Sequence, residues 1–161
     1  MLIHPDIGSF TFVGCLLTTL QLEPDAPFDS DRCGTCTRCL DACPTAAFPA
    51  PRVLDATRCI SYLTIESRRE IPDAYRAAVG DHLFGCDICQ DVCPWNIKFA
   101  RPTTEPRFLP PNPDTRPSPE AIAALEQSDF DAIFGHTAME RARLSGLKRN
   151  ARVVLENRPR A

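Results

Sequence analysis

Apolar residues recur at even positions between Gly8 and Leu22: Phe10, Phe12, Leu16, Leu20 and Leu22 share one parity, a period of two that predicts a strand broken near Gly14. Cys15 lies on the opposite parity and reads as a free, buried thiol acting as a small hydrophobe. A strand this close to Met1 has nothing before it to pair with, so its partners are expected from outside these residues. Further along the pattern turns helical. Asp55 is placed to N-cap a helix holding Cys59, Ile60, Tyr62, Leu63 and Ile65, and Pro72 opens another that stops at Gly80. Ser118-Pro119-Glu120 starts a helix through about Gln127, and Ser128 caps the next, which ends near Gly135. Thr137-Ala-Met-Glu140 is a capping box opening the last helices, which Gly146 divides. In the final one Leu147, Ala151, Val154 and Leu155 recur at helical spacing, which turns them to the body and Lys148, Arg149 and Arg152 to solvent.

Two proline-bearing stretches separate these elements. Glu23 to Asp31 is a loop with Pro24 and Pro27, and residues 101–117 carry Pro102, Pro106, Pro110, Pro111, Pro113 and Pro117, a stiff extended connector. The 16 prolines are about twice ordinary usage and point to short elements joined by fixed turns. At 161 residues one domain with an appendage is expected. No apolar run approaches the ~20 residues of a membrane span, and the start of the chain lacks the basic and apolar regions of a signal peptide. A reducing cytoplasm is the expected compartment. Net charge is −3, but residues 136–161 hold seven Lys/Arg (Arg141, Arg143, Lys148, Arg149, Arg152, Arg158, Arg160) against Glu140 and Glu156, a local +5 on a body of −8. Such a tail is either a solvated helix face or an electrostatic footprint for nucleic acid.

Cysteine spacing changes the picture most. Cys33-Gly-Thr-Cys36-Thr-Arg-Cys39-Leu-Asp-Ala-Cys43-Pro44 is C-x2-C-x2-C-x3-C-P, in which three thiolates hold one cubane and the fourth holds a neighbouring one. A second motif is therefore expected. Cys86-Asp-Ile-Cys89-Gln-Asp-Val-Cys93-Pro94 supplies it with Leu83 where the first cysteine should be, and Cys59 can fill the vacancy. Cys33, Cys36, Cys39 and Cys93 then bind one [4Fe–4S] cluster, and Cys43, Cys59, Cys86 and Cys89 the other. Both Cys-Pro runs should be short helical turns, since proline cannot continue a helix. Four-thiolate zinc and a disulfide framework compete with this reading. Zinc needs no three-residue spacing followed by proline, twice, and C-x2-C pairs are poorly placed to staple a fold.

Clusters move electrons singly and make no substrate bond by themselves. The chain could be a stand-alone ferredoxin-like carrier, a structural metal-binding unit, or the electron-entry part of a redox enzyme. Neither G-x-G-x-x-G, P-loop nor H-E-x-x-H occurs, and His4, His82 and His136 are scattered, as structural or solvated histidines would be. A carrier needs little beyond Cys33 to Pro94, and the surplus length favours the enzyme component.

Three runs, Cys33 to Phe48, Val53 to Glu66 with its Cys-Ile-Ser-Tyr-Leu-Thr-Ile-Glu, and Phe84 to Asn96 with its Cys-Pro-Trp-Asn, closely resemble epoxyqueuosine reductase, as do Gly146-Leu-Lys-Arg-Asn-Ala151 and Leu155-Glu-Asn157. The resemblance implies a cytoplasmic oxidoreductase that reduces the epoxide of epoxyqueuosine in tRNA, with cobalamin fed by two [4Fe–4S] clusters. It implies an α+β architecture: a remnant of an N-terminal cobalamin domain at 1–31, a ferredoxin-like double-cluster domain at 32–100, the connector at 101–117 and a basic helical tail at 118–161. Ser61 and Asp87 would contact cobalamin, and Arg68, Arg69, Lys148, Arg149 and Arg152 would contact tRNA. An external electron donor is also implied.

Two departures stand out. The family's N-terminal domain, with much of the cobalamin pocket and the acidic proton donor, has only Met1 to Ile7 as its counterpart, so no catalytic residue is expected in this chain and a separately encoded half becomes a candidate partner. Cys15 stands where the family's Gly-Glu step would put glutamate. The cluster-bearing end of a reductive dehalogenase, another cobalamin-dependent reductase, is the second resemblance, but it would bring an export signal on the full enzyme and no basic tail.

Overall fold

The structure, a computed structural model, describes residues 2–108 and 117–159. Pro110, Pro111 and Pro113 of the expected connector, and Arg160 of the basic tail, lie outside the described residues.

Short helices dominate. In chain order they are α1 (Arg38–Asp41), α2 (Asp73–Val79), α3 (Ile88–Asp91), α4 (Pro94–Phe99), α5 (Pro119–Ala124), α6 (Gln127–Phe134) and α7 (Arg143–Asn157). Single turns of tighter or wider pitch lie between them, notably a 3-10 turn at Ala56–Arg58, a π turn at Tyr62–Glu66 and a 3-10 turn at Ala138–Ala142. Among the described residues there is no β-strand, only isolated bridges pairing His4 with Gly8 and Ala50 with Val53. The expected α+β class therefore gives way to a helical fold.

The strand expected at 8–22 is the clearest correction. Its apolar side chains point into solvent, with Phe12, Leu16 and Leu17 at least 90% exposed. Cys15 is exposed as well, not buried. A strand exists through its ladder, and the backbone bonds here are local, such as Thr11 N–H to Ser9 O at 2.9 Å. The segment is anchored at its start instead. Gly8, at φ +77°, brings the chain so close to Asn96 that a Cβ would lie 2.3 Å from Asn96 Oδ1. Ser9 N–H donates to that oxygen at 2.6 Å, and Asn96 Nδ2 donates to Ser9 Oγ and Gln90 O, both at 2.8 Å.

The expected single helix from Asp55 is split at Cys59. Asp55 does cap, accepting from Thr57 N–H at 3.0 Å, but the backbone extends at Cys59 (φ −70°, ψ 129°) before Leu63 N–H returns to Cys59 O. The second motif turn is likewise followed directly by α4, with Pro94 in its first turn. Ser118 caps α5 and Thr137 caps the 3-10 turn after α6. Glu140, the far member of the capping box, accepts from His136 N–H, one residue earlier than the standard box. Ser128 does not cap α6, which already starts at Gln127.

α7 runs unbroken through Gly146, because the burial it gains outweighs the ~1 kcal/mol that glycine costs a helix. Leu147 and Ala151 join Ile122, Phe130, Phe134 and Ala142 in one core, while Val153 joins Leu63, Ile71 and Val79 in another. The tail is thus packed onto the cysteine-bearing region.

Arg149 explains how, and corrects the expectation that it faces outward. It is 4% exposed, and its guanidinium donates to the carbonyls of Leu63 (2.6 Å), Ser67 (2.8 Å) and Arg69 (2.6 Å). Asn150 Nδ2 donates to Thr64 O and Leu83 O at 2.7 and 2.9 Å. Helices end with unpaired carbonyls, and a cation favours that pole. Burial pushes the Arg149 pKa down, opposed by Glu70 nearby. Asn157 does the same for α2, donating to Arg76 O and Gly80 O. The Lys-Arg-Asn and Leu-Glu-Asn runs of the tail are therefore carbonyl caps for residues 63–83.

Candidate functional site

The structure brings four of the eight motif cysteines to one cavity. Cys33, Cys36, Cys39 and Cys93 line one cavity together with Arg32 and Trp95. Three of these come from the first run and its turn α1, and Cys93 arrives from the second run, after α3, because α1 and α3 pack together. Trp95 closes the wall, its indole N–H donating to Arg32 O at 2.7 Å.

The second group is visible through its mutual electrostatics. Burial pushes the Cys86 thiol up, and the nearby Cys59 and Cys43 push it further. Cys89 is pushed up to about 11, by burial first and then by Cys86, Cys59 and Cys39. Burial likewise raises Cys39, followed by Cys33 and Cys36. Cys39 thus lies near enough to Cys89 to link the two groups. Thiols gathered this way resist becoming thiolates together unless a cation replaces their protons, which is what iron does. No three His, Cys, Asp or Glu among the described residues converge as ligands of a single ion.

Several side chains outside the motifs hold this arrangement. Ser61 Oγ accepts from Cys86 N–H at 3.0 Å and donates to Cys86 O at 3.1 Å, and Gly85 N–H donates to Thr64 Oγ1 at 3.0 Å. Cys59 is thereby fastened to the second run. Ala47 N–H donates to Cys43 Sγ at 3.3 Å, the kind of amide–sulfur bond that raises a cluster's potential. Thr64 and Asn96 carry no metal-ligand signal in sequence; their partners are distant in the chain.

The other expected site residues fare differently. Asp87 is exposed and makes no capping bond to α3. Arg68 donates to Arg141 O at 2.8 Å and Ala142 O at 3.3 Å, clamping the tail. Arg69 is exposed, Lys148 half-buried, and Arg152 exposed beside Glu70 at 3.6 Å. Arg141 and Arg158 pair with Glu66 and Glu120. No helix among the described residues is long and apolar enough to cross a membrane.

Residues 32–96 match the family model of the 4Fe-4S double cluster binding domain. Over 154 residues the chain is 44% identical to epoxyqueuosine reductase of Cyclobacterium marinum, covering 96% of this chain and 48% of that protein. The Bacillus subtilis enzyme of that name is 37% identical over 155 residues, 96% of this chain and 39% of its own. The chain is similar in sequence to the epoxyqueuosine reductases over about half of their length. Shape agrees: a Bacillus subtilis epoxyqueuosine reductase structure superposes with a TM-score of 0.84 at 37% identity, covering 98% of this chain and 41% of that one. An epoxyqueuosine reductase solved with an epoxyqueuosine-modified tRNA stem loop superposes with a TM-score of 0.76 at 38% identity, covering 84% and 35%. The chain spans about half the length of the curated epoxyqueuosine reductases it matches.

Proposed function

We propose that this chain is the iron–sulfur electron-transfer part of an epoxyqueuosine reductase, which reduces epoxyqueuosine to queuosine in tRNA. Cys33, Cys36, Cys39 and Cys93 hold one [4Fe–4S] cluster and Cys43, Cys59, Cys86 and Cys89 the other. The observation that carries this reading is the convergence of Cys33, Cys36, Cys39 and Cys93, from both cysteine runs, on one cavity.

Cobalamin, when bound, supplies the reductive chemistry at the epoxide that one-electron clusters lack. This chain offers it only an edge: the exposed carboxylate of Asp87 suits a polar contact, whereas the Ser61 hydroxyl is committed to Cys86. The rest of the pocket, and the proton donor, belong by resemblance to the length of the relatives that these residues do not match. A polypeptide of these 161 residues alone therefore moves electrons without opening the epoxide. Arg68, Arg69, Lys148 and Arg152, exposed or half-buried, remain the candidate tRNA contacts, with Arg149 withdrawn because it is buried with its donors on carbonyls. An external donor reduces the clusters.

Anaerobic reconstitution tests the reading. The chain should take up about eight iron and eight sulfide, as two cubanes require, and Cys59→Ser should spare one cluster. Adding a polypeptide with the relatives' remaining length, plus cobalamin, should yield queuosine in tRNA. Uptake of zinc without iron, or epoxide reduction by this chain unaided, would overturn it.

A further inference from the structure

Among the described residues, the buried side-chain nitrogen and oxygen atoms with no hydrogen-bond partner are Nε of Arg32 and Nε of Arg58. A buried N–H left unpaired is costly, and such atoms call for an explanation that often lies in redox chemistry or in a group the protein binds. Both arginines stand immediately before a cysteine, Cys33 and Cys59, and those cysteines belong to different groups of four.

Arg32 is placed in the most detail. Its guanidinium carbon lies 5.4 Å from the Phe28 ring centroid and 5.6 Å from that of Trp95, within cation–π range of both. The same residue lines the cavity ringed by Cys33, Cys36, Cys39 and Cys93. Two aromatic rings therefore hold a positive charge, with an unpaired N–H, at the wall of the cavity that the four thiols line. Arg58 closes the 3-10 turn Ala56–Arg58 and delivers the chain to Cys59.

We propose that Arg32 and Arg58 set the reduction potentials of the two clusters, one each; the inference rests on the two-cluster reading above. Reduction adds one electron to a cluster and neither forms nor breaks a bond. A nearby cation stabilises the added negative charge, more strongly in a half-buried site than in water, and an N–H directed at sulfur acts in the same sense. Each arginine thus raises its own cluster's potential. Both are positioning residues for the electron path and touch no substrate.

The test is a redox titration of the anaerobically reconstituted full chain, followed by electron paramagnetic resonance. Iron and sulfide analysis of the wild type comes first; failure to load iron would refute the two-cluster reading itself, separately from this inference. With both clusters loaded, Arg32→Gln should lower one midpoint and Arg58→Gln the other. The expected size is about a tenfold drop in the reduced-to-oxidised ratio at the wild-type midpoint, or ~59 mV for a one-electron couple. Arg32→Lys and Arg58→Lys keep the charge and should shift the same midpoints less. Unmoved midpoints in either Gln variant, or both midpoints moving together in each, would overturn the proposal. Should a Gln variant fail to load its cluster, the Ala variant, which also removes the charge, decides: a downward shift confined to one midpoint supports the role, and no shift refutes it.

Discussion

Phe12, Leu16 and Leu17 are 91, 90 and 96% exposed near one end of the chain, whereas Arg149 near the other is 4% exposed. Composition suggests the reverse for both. The apolar segment has a β period but no strand beside it among the described residues, and its side chains stay in water apart from contacts such as the stacking of Phe12 on Phe108. The charged residue has three carbonyls waiting where the π turn ends, and it goes inside. Burial follows the availability of partners, and a periodicity reading sees only one of the two sides.

The largest test of that contrast is Arg149→Met. It fills similar space but leaves the carbonyls of Leu63, Ser67 and Arg69 without their donor, a loss on the order of 3 kcal/mol. For a chain of this size the thermal midpoint should fall by roughly 10 °C, with α7 loosened from the cysteine-bearing region. An unchanged midpoint would show that Arg149 caps nothing of consequence. Next in size is Asn157→Ala, which frees only the carbonyls of Arg76 and Gly80 and should cost ~1–2 kcal/mol by denaturant titration. Lys148→Ala with Arg152→Ala should barely move stability, because exposed charges contribute little. If they make the proposed tRNA contacts, the slope of log affinity against log salt should flatten by up to about 2, one unit for each phosphate no longer neutralised. A slope identical to wild type would remove the tail's outer face from the tRNA interface. At the bottom of the scale, Phe12→Ser with Leu16→Ser and Leu17→Ser should leave the melting midpoint of the chain within the equivalent of ~0.5 kcal/mol. A large drop there would mean that the exposed segment is packed after all.

The convergence of Cys33, Cys36, Cys39 and Cys93 on one cavity was legible because C-x2-C-x2-C-x3-C-P spacing is a local rule. The same rule names Cys43, Cys86 and Cys89 as expected ligands, with Cys59 expected in the place that Leu83 leaves vacant. The caps of Asp55, Ser118 and Thr137, and the stop at Gly80, were readable for the same reason: each is decided within a few residues. Gly80, at φ +58°, is a conformation that glycine adopts freely. What escaped was decided at long range. Ser61 and Thr64 reach the second run across more than twenty positions, and Arg149 and Asn150 reach carbonyls more than eighty residues away. Nothing near Arg149 in the sequence distinguishes it from Lys148 or Arg152. The split at Cys59 was equally hidden, since Asp55 caps one turn as plausibly as it caps a whole helix.

Trp95 is the chain's one tryptophan and part of the wall around Cys33, Cys36, Cys39 and Cys93. Its emission can only come from that wall, and an iron–sulfur cluster absorbs broadly enough to quench an indole beside it. Fluorescence should therefore brighten when that cluster is lost to air or a chelator and stay dark when only its neighbour is removed. With the proposed clusters bound, Trp95 is an optical gauge for one of them, readable without a label in the same cuvette as the reductive titration.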